Sequence, residues 1–453
     1  MQISVTAPLF AWGSLEDSPS LTTVRRLLAC VPDGGLLESL RRHRGRGRNE
    51  YPVEVLWGVV LLTIALRHTS IEGCLGELTR NEGLRALIGI ASESGVPKKW
   101  NVSRFLEVLG TEPHRRLVRE AFDAMVRRLG LAVEDLGVHG AGDATGLNAR
   151  RPGSRRGQRQ DRGEGLPAAS GGRKEYEDAS GAVVRVVEWF GYKLHVIVDV
   201  QHEMALGYAV TDTKAGDGET LETVLAQAQE NLPAGRMQTL AYDKAADGEE
   251  VHRLLHRAKV KPVIQNRSLW QEELERPLPG REDRVTHVVH DEAGTVYCYD
   301  LASTPPERHR MAYIGHEPAR GTLKYRCPAR HGDWACPSDR VCNHGRAYGM
   351  TVRVKQALDL RRFPPIPRAT QQFERRYKGR TAVERFNGRL KIFWGVDDGN
   401  ITGARRFFAY VGAVMVVHLA FATLLAAAPR RSGSLGTLRL GVVQKALQTG
   451  MGP

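Results

Sequence analysis

Apolar residues recur at helical spacing through the first third of the chain and give way to short strand-length runs after it. Residues 20–130 read as a set of helices. Ser20 opens a run with Val24, Leu27, Leu28 and Val31 at helical spacing. Pro52 stands at a first-turn position before VEVLWGVVLLTIAL. Ser70 is placed to cap IEGCLGEL, and Asn101 or Ser103 to cap RFLEVL, because their side-chain oxygens can accept the free amides of a first turn. Pro113 opens HRRLVREAFDAMVRRLG and Gly130 closes it. No strand signal occurs in this stretch.

Near Leu136 the texture changes. LGVHGAGDATGL reads as a short buried strand ending in Asp143. The next 30 or so residues, NARRPGSRRGQRQDRGEGLPAASGGRKEYEDASG, lack an apolar period and read as a flexible or disordered loop. Strands follow at AVVRVVEWF, YKLHVIVDV and ALGYAVTD, then a helix over residues 219–231. MQTLAYDK is a strand ending at Asp243, GEEVHRLLHRA a helix and VKPVIQN a strand. Three strands, a helix, a strand, a helix and a strand is the order of a ribonuclease-H-like core.

Residues 268–365 interrupt this order with a hairpin turning at residues 292–294 and further short strands at RMAYIGHE and TLKYRC. A helix returns over residues 368–394. The expected fold is therefore α/β: a ribonuclease-H-like mixed sheet flanked by helices, with a helical N-terminal domain and a β-rich insertion. The expected parts are 1–133 (helical, DNA-binding), 134–267 and 366–430 (the split core), 268–365 (the insertion) and 431–453 (a loose tail).

Residues 411–428 are 18 positions whose only polar members are His418 and Thr423. A bilayer span needs about 20 residues. With many Ala residues and a mid-segment His, the stretch reads as a buried core helix. The first 20 residues show no leader pattern of a basic segment before an apolar one.

Charge narrows the class of partner. There are 65 Lys+Arg against 51 Asp+Glu, a net +14, and arginine supplies most of the excess. Guanidinium groups suit bidentate phosphate contacts, so nucleic acid is favoured over membrane. Six cysteines in 453 residues do not make a secreted disulfide scaffold.

The chemistry concentrates in YKGRTAVERFNGRLK. On a continuous helix, Tyr377, Arg380, Glu384 and Lys391 fall within a stripe roughly 60° wide. Val383, Phe386, Leu390 and Phe393 form an apolar face on the other side. Spacing alone favours an ordinary amphipathic helix carrying an Arg380–Glu384 ion pair.

The pattern Y-x2-R-x3-E-x6-K, met here without a gap, resembles the signature of insertion-sequence transposases with a DDE catalytic triad. A helical N-terminal domain, an Asp in D-x-T, a second Asp in YDKAADGEEV and an insertion before the Glu helix extend the likeness over residues 20–430. The resemblance implies that Asp143, Asp243 and Glu384 are catalytic and that Tyr377, Arg380 and Lys391 contact the element's end DNA. Ala245 and Ala246 stand where many relatives carry Gly and Tyr. Asp199, Asp212, Asp217 and Glu219 compete for the second carboxylate, but DKAADGEEVHRLL better matches a small-residue turn before a helix.

DNA cleavage needs an activated water and a stabilised leaving oxygen. Two Mg2+ ions held by three carboxylates supply both, with Mn2+ as a substitute. The implied reaction is hydrolysis at the element's 3′ end, followed by attack of that 3′ hydroxyl on target DNA. The partners are double-stranded DNA (terminal inverted repeats and target) and a second copy of the chain in the synaptic complex. The place is the bacterial cytoplasm, on the nucleoid. A DNA nuclease without strand transfer and a catalytically inactive DNA-binding relative remain as alternatives.

Three further features invite a role. Cys327, Cys336 and Cys342, with His331 and His344 among them, are a candidate structural Zn2+ set, although no C-x2-C pair occurs; three free thiols packed in a β subdomain is the other reading. Arg150, Arg151, Arg155, Arg156, Arg159 and Arg162 follow Asp143 and could grip phosphates or simply be solvated. Trp334 is either a base-stacking residue or a rim aromatic.

Overall fold

The computed structural model describes residues 19–46, 50–151, 165–178, 182–271, 274–280, 287–428, 433–436 and 439–448. Arg155, Arg156, Arg159 and Arg162 lie outside them. The chain divides into two compact units: Met1–Gly137, Ala144–Arg236 and Ala382–Pro453 form the first, Val138–Asp143 and Met237–Thr381 the second.

The first unit begins with helices α1 (Pro19–Ala29), α2 (Gly34–Arg44), α3 (Val53–Ala65), α4 (Ile71–Arg80), α5 (Glu82–Leu87), α6 (Lys99–Leu109) and α7 (His114–Ala132). Ser70 caps α4 as expected, its Oγ accepting from the Gly73 amide at 3.1 Å. α6 starts earlier than expected. Asn101 acts from inside the first turn, its Oδ1 accepting from the Lys98 amide at 3.0 Å. α3 is buried on every side from Val55 to Ala65, which its unbroken apolar sequence requires.

The long apolar segment forms α14 (Ala404–Ala426), after α8 (Asp217–Asn231), the helices of the second unit and α13 (Thr381–Trp394). It packs on α7, α6 and α3, and 89 % of its most apolar stretch is buried in the protein. The core-helix reading therefore holds. A side chain at Gly110 would meet the Arg405 carbonyl oxygen at 2.0 Å, so glycine there lets the end of α6 reach the start of α14. His418 is fully buried in α14, its Nε2 accepting from the Ala205 amide at 3.4 Å. The tail is not wholly loose: α15 (Leu440–Gln448) packs on α1 and α14 through a face that includes buried Val443.

Strands β1 (His139–Asn148), β2 (Ser170–Glu177), β3 (Val183–Asp199) and β4 (Ala205–Thr211) follow. β3 is one strand where two were expected; β2 pairs antiparallel with its first half and β4 with its second. β2 falls in the presumed loop. Its described side chains are mostly exposed, so SGGRKEYE carries no alternation to betray it. Its glycine has a use: a Cβ at Gly172 would lie 2.3 Å from the Trp189 ring. The far end of β1 lies on β3, the Ala149 amide donating to the Phe190 carbonyl at 2.8 Å.

In the second unit the near end of β1 pairs parallel with β5 (Thr239–Tyr242), and β5 pairs parallel with β6 (Lys261–Ile264). Helices α9 (Glu249–Arg257) and α12 (Gln371–Lys378) cover these strands. The pairings run β2-β3-β1-β5-β6 with β4 also on β3, a ribonuclease-H-like mixed sheet. The insertion is β-rich as expected. One sheet holds β7 (Arg276–Pro277), β8 (Val288–His290), β9 (Val296–Asp300) and β10 (Glu307–Arg310); another holds β11 (Ala312–Glu317), β12 (Thr322–Arg326) and β13 (Thr351–Lys355). They share a core of Leu278, Val288, Val296, Met311, Leu323, Tyr325, Val352, Val354 and Phe363. Two short helices, α10 (Pro328–Gly332) and α11 (Asp339–Cys342), lie between β12 and β13.

Candidate active site

β1 and β5 are in register at Ala141–Ala241. Asp143 lies two residues further along β1, and Asp243 directly follows the last residue of β5. Both are half-buried. β1 does not end at Asp143 but continues to Asn148. The small residues that read as a strand end serve packing instead. A Cβ at Gly142 would stand 2.3 Å from the Tyr242 ring, so that ring fills the opposite face of the sheet behind the aspartates.

Asp243 does follow the last residue of its strand. Its Oδ1 accepts from the Lys244 amide at 2.7 Å, and a 3-10 turn over Lys244–Ala246 follows. Ala246 is buried in that turn, which gives the small residue at 246 a structural reason. The turn ends on Asp247, whose side chain is fully buried and accepts from Arg361 Nε at 3.0 Å, Arg368 Nη2 at 2.8 Å and the Arg267 amide at 2.9 Å, with His252 Nε2 at 3.0 Å. Burial alone would raise the Asp247 carboxyl; the His252 hydrogen bond and the Arg368 charge outweigh it and bring it down to about 2. Asp247 thus ties the turn after Asp243 to the chain returning from the insertion. An Asp so close to Asp243 in sequence gave no sign of this.

The signature residues do not lie on one helix. α12 ends at Lys378 and α13 begins at Thr381, with a tight turn at Gly379 and Arg380. Glycine's poor helix propensity accounts for the break. Tyr377 is on α12, stacked on Phe373 at 5.8 Å, in the second unit. Arg380 is in the turn, and Glu384 and Lys391 are on α13 in the first unit. The single stripe expected from the sequence is therefore corrected to two separate helical segments.

Glu384 lies on the exposed face of α13, while Ala382, Val383, Phe386, Leu390 and Trp394 are buried. Within the same unit, Glu203 in the β3–β4 turn accepts from Arg385 Nε at 2.5 Å and pairs with Arg389, one turn of helix further on. These two contacts fix the rotation of α13 about its axis. Lys391 pairs with Asp397 at 3.4 Å, and Asp397 also accepts from the Asn148 amide at 2.6 Å.

Three of the competing carboxylates have structural duties. Asp199 is buried and accepts from the Gly137 and His202 amides. Asp212 accepts from the Lys214 and Ala215 amides. Asp217 pairs with Lys193 at 2.6 Å. Among the described residues no three His, Cys, Asp or Glu side chains stand at metal-binding spacing.

Cys327, Cys336 and Cys342 line one small cavity, and a fourth cysteine, Cys298 of β9, joins them. Cys298 is 29 positions before Cys327, too far to enter a local motif. His331 and His344 are exposed and do not line that cavity. Trp334 is 40 % exposed and packs on His309 at 4.9 Å, which is the rim reading. Arg151 stacks on the Phe190 ring at 4.8 Å.

Comparison with solved structures gives a piggyBac transposase synaptic complex with hairpin DNA, seen by cryo-electron microscopy. The identity is 10 %, 96 % of this chain and 82 % of that one are covered, and the TM-score is 0.34, too low to support any inference on fold or site. No curated protein matches. A family model does: the one described as "Transposase DDE domain" matches residues 136–420, which include Asp143, Asp243, Glu384 and all of Y-x2-R-x3-E-x6-K. That match covers more than half of the chain, and the chain therefore belongs to the DDE-domain transposases, enzymes that cut DNA.

Proposed function

We propose that this transposase cuts DNA at the ends of its own insertion sequence and joins the freed 3′ ends to target DNA, with Asp143, Asp243 and Glu384 as the catalytic carboxylates. The main support is the parallel register of β1 on β5, whose last pair, Ala141–Ala241, comes two residues before Asp143 and Asp243. The match of Tyr377, Arg380, Glu384 and Lys391 to Y-x2-R-x3-E-x6-K in the sequence supplies the rest.

Enzymes with a DDE domain work with divalent metal. The donor set fits: carboxylate oxygens are the hard ligands that Mg2+ prefers. Asp143, Asp243 and Glu384 would hold two Mg2+ ions, for which Mn2+ substitutes. Such ions, when bound, lower the pKa of water and stabilise charge on the leaving oxygen. The chain's own part is positioning. The Lys244 amide orients Asp243. Asp247 fixes the turn behind it. Glu203 sets the rotation of the helix that carries Glu384. Tyr377, Arg380 and Lys391 contact the end DNA, the N-terminal helices read the terminal inverted repeat, and the insertion helps to hold the DNA end. The active complex is a homodimer that acts on the bacterial nucleoid. A structural Zn2+ belongs to the cysteine cluster, away from catalysis.

The test uses a labelled duplex taken from the DNA on either side of the gene. Mg2+ produces a cut with a free 3′ hydroxyl, and a pre-cut duplex joins to a plasmid. Asp143→Asn, Asp243→Asn and Glu384→Gln each remove both steps while DNA still binds. A variant that still cuts overturns the assignment, and cutting without joining leaves a nuclease.

A further inference from the structure

We propose that Cys298, Cys327, Cys336 and Cys342 together hold one structural Zn2+ ion in the β-rich insertion, with Cys298 supplying the ligand that completes the set. The inference stands apart from the catalytic reading, since neither Asp143, Asp243 nor Glu384 takes part.

The four sulfurs come from separate places: β9, the residue before α10, the loop after it, and the end of α11. All four line a single cavity of about 20 Å³. That volume admits one ion or one water and nothing larger. All four are free thiols. Cys298 is packed against the insertion's core. A zinc ion would take all four as thiolates and release four protons to solvent, leaving a tetrahedral Zn–S4 centre.

The surroundings have the parts such a centre uses. Asn343 Nδ2 donates to Cys327 Sγ at 3.5 Å, and His287 Nε2 lies 3.8 Å from Cys342 Sγ. Both can donate to a thiolate, as outer partners of zinc ligands do. Residues 327–350 are held mainly by polar contacts, among them Arg330 on Asp339 and Ser338 on Asp300. Most are exposed, the helices have five and four residues, and Cys327, Cys336, Ser338, Cys342 and Asn343 are among the few turned inward. A segment without a core of its own is the kind that a metal staple orders. Among the described residues no three of these groups yet meet metal spacing. In a Zn–S4 tetrahedron the sulfurs stand about 3.8 Å apart, so binding contracts the pocket and draws the segment in.

The experiment is element analysis of the full-length protein purified without added metal or chelator. One zinc per chain is expected. In Cys298→Ser, zinc affinity falls by about 100-fold or more, whereas Asp143→Asn/Asp243→Asn keeps its zinc, which separates this ion from any catalytic one. Co2+ replacement in the unmutated protein gives the sulfur-to-metal charge-transfer bands of four thiolates. Should Cys298→Ser fail to fold, Cys298→His serves instead, retaining metal with an altered Co2+ spectrum. A zinc-free protein with all four thiols titratable, a disulfide among them, or a Cys298 variant with an unchanged Co2+ spectrum overturns the proposal.

Discussion

Asp397 takes the amide of Asn148 at 2.6 Å with one carboxylate oxygen and faces Lys391 with the other at 3.4 Å. The end of β1 and the last turn of the Glu384 helix are thus tied through one side chain. Replacing Asp397 with Ala leaves the half-buried amide without that acceptor and costs about 1–3 kcal/mol, read by urea denaturation. Lys391→Met is expected to change stability little, because a half-exposed pair contributes modestly, and to weaken DNA binding with a shallower salt dependence. A loss of stability equal to that of Asp397→Ala, with DNA affinity intact, would make Lys391 a purely structural residue.

Gly142 and Tyr242 form a lock behind the two aspartates. Gly142→Val forces the Tyr242 ring out of place, and overpacking of this kind costs about 1–3 kcal/mol. Because the strain falls on β1 and β5 together, cleavage suffers more than folding. The double variant Gly142→Val/Tyr242→Ala recovers part of the lost stability. Thermal denaturation of the two variants side by side is the measurement, and strict additivity would show that the two positions do not touch.

Asp247→Asn leaves Arg361 and Arg368 buried without their counter-charge. Breaking a buried pair in this way costs about 3–5 kcal/mol. The native carboxylate is held at about 2, below the ordinary Asp value of about 3.9. Its contribution is therefore full above pH 4 and fades as pH falls from there toward 2. The variant should lack this acid-side slope, which chemical denaturation across that range would reveal.

Two buried histidines act in the same direction at higher pH. Burial lowers His418 to about 3 and His195 to about 4; Asp217 raises His195 and Lys193 lowers it. An unfolded histidine titrates near 6.5. Between that value and the native ones the unfolded chain binds more protons, so stability falls as pH drops below about 6.5, by up to about 1.4 kcal/mol per pH unit for each. His418→Gln flattens this slope. If the slope is unchanged, His418 is not neutral in the native state.

What the chain discloses before folding is what its neighbours in sequence decide. Ser70 at its cap, the apolar wrap of α3 and the strand–helix order around Asp243 depend on residues within a turn or two of one another. β2 escaped notice because a strand exposed on both faces needs no apolar alternation. The break at Gly379 and Arg380 is a two-residue event inside a strongly helical pattern. Asp397, Glu203 and Cys298 act on groups 249, 182 and 29 or more positions away, and no local spacing rule reaches that far.

One consequence concerns the order of synthesis. β1 meets β5 with a hundred residues between paired positions, as in His139–Thr239. A ribosome adding about 5–20 residues per second keeps the first aspartate waiting roughly 5–20 s before its neighbour is even made. The nascent polypeptide therefore passes through a long interval in which β1 lacks its parallel partner β5.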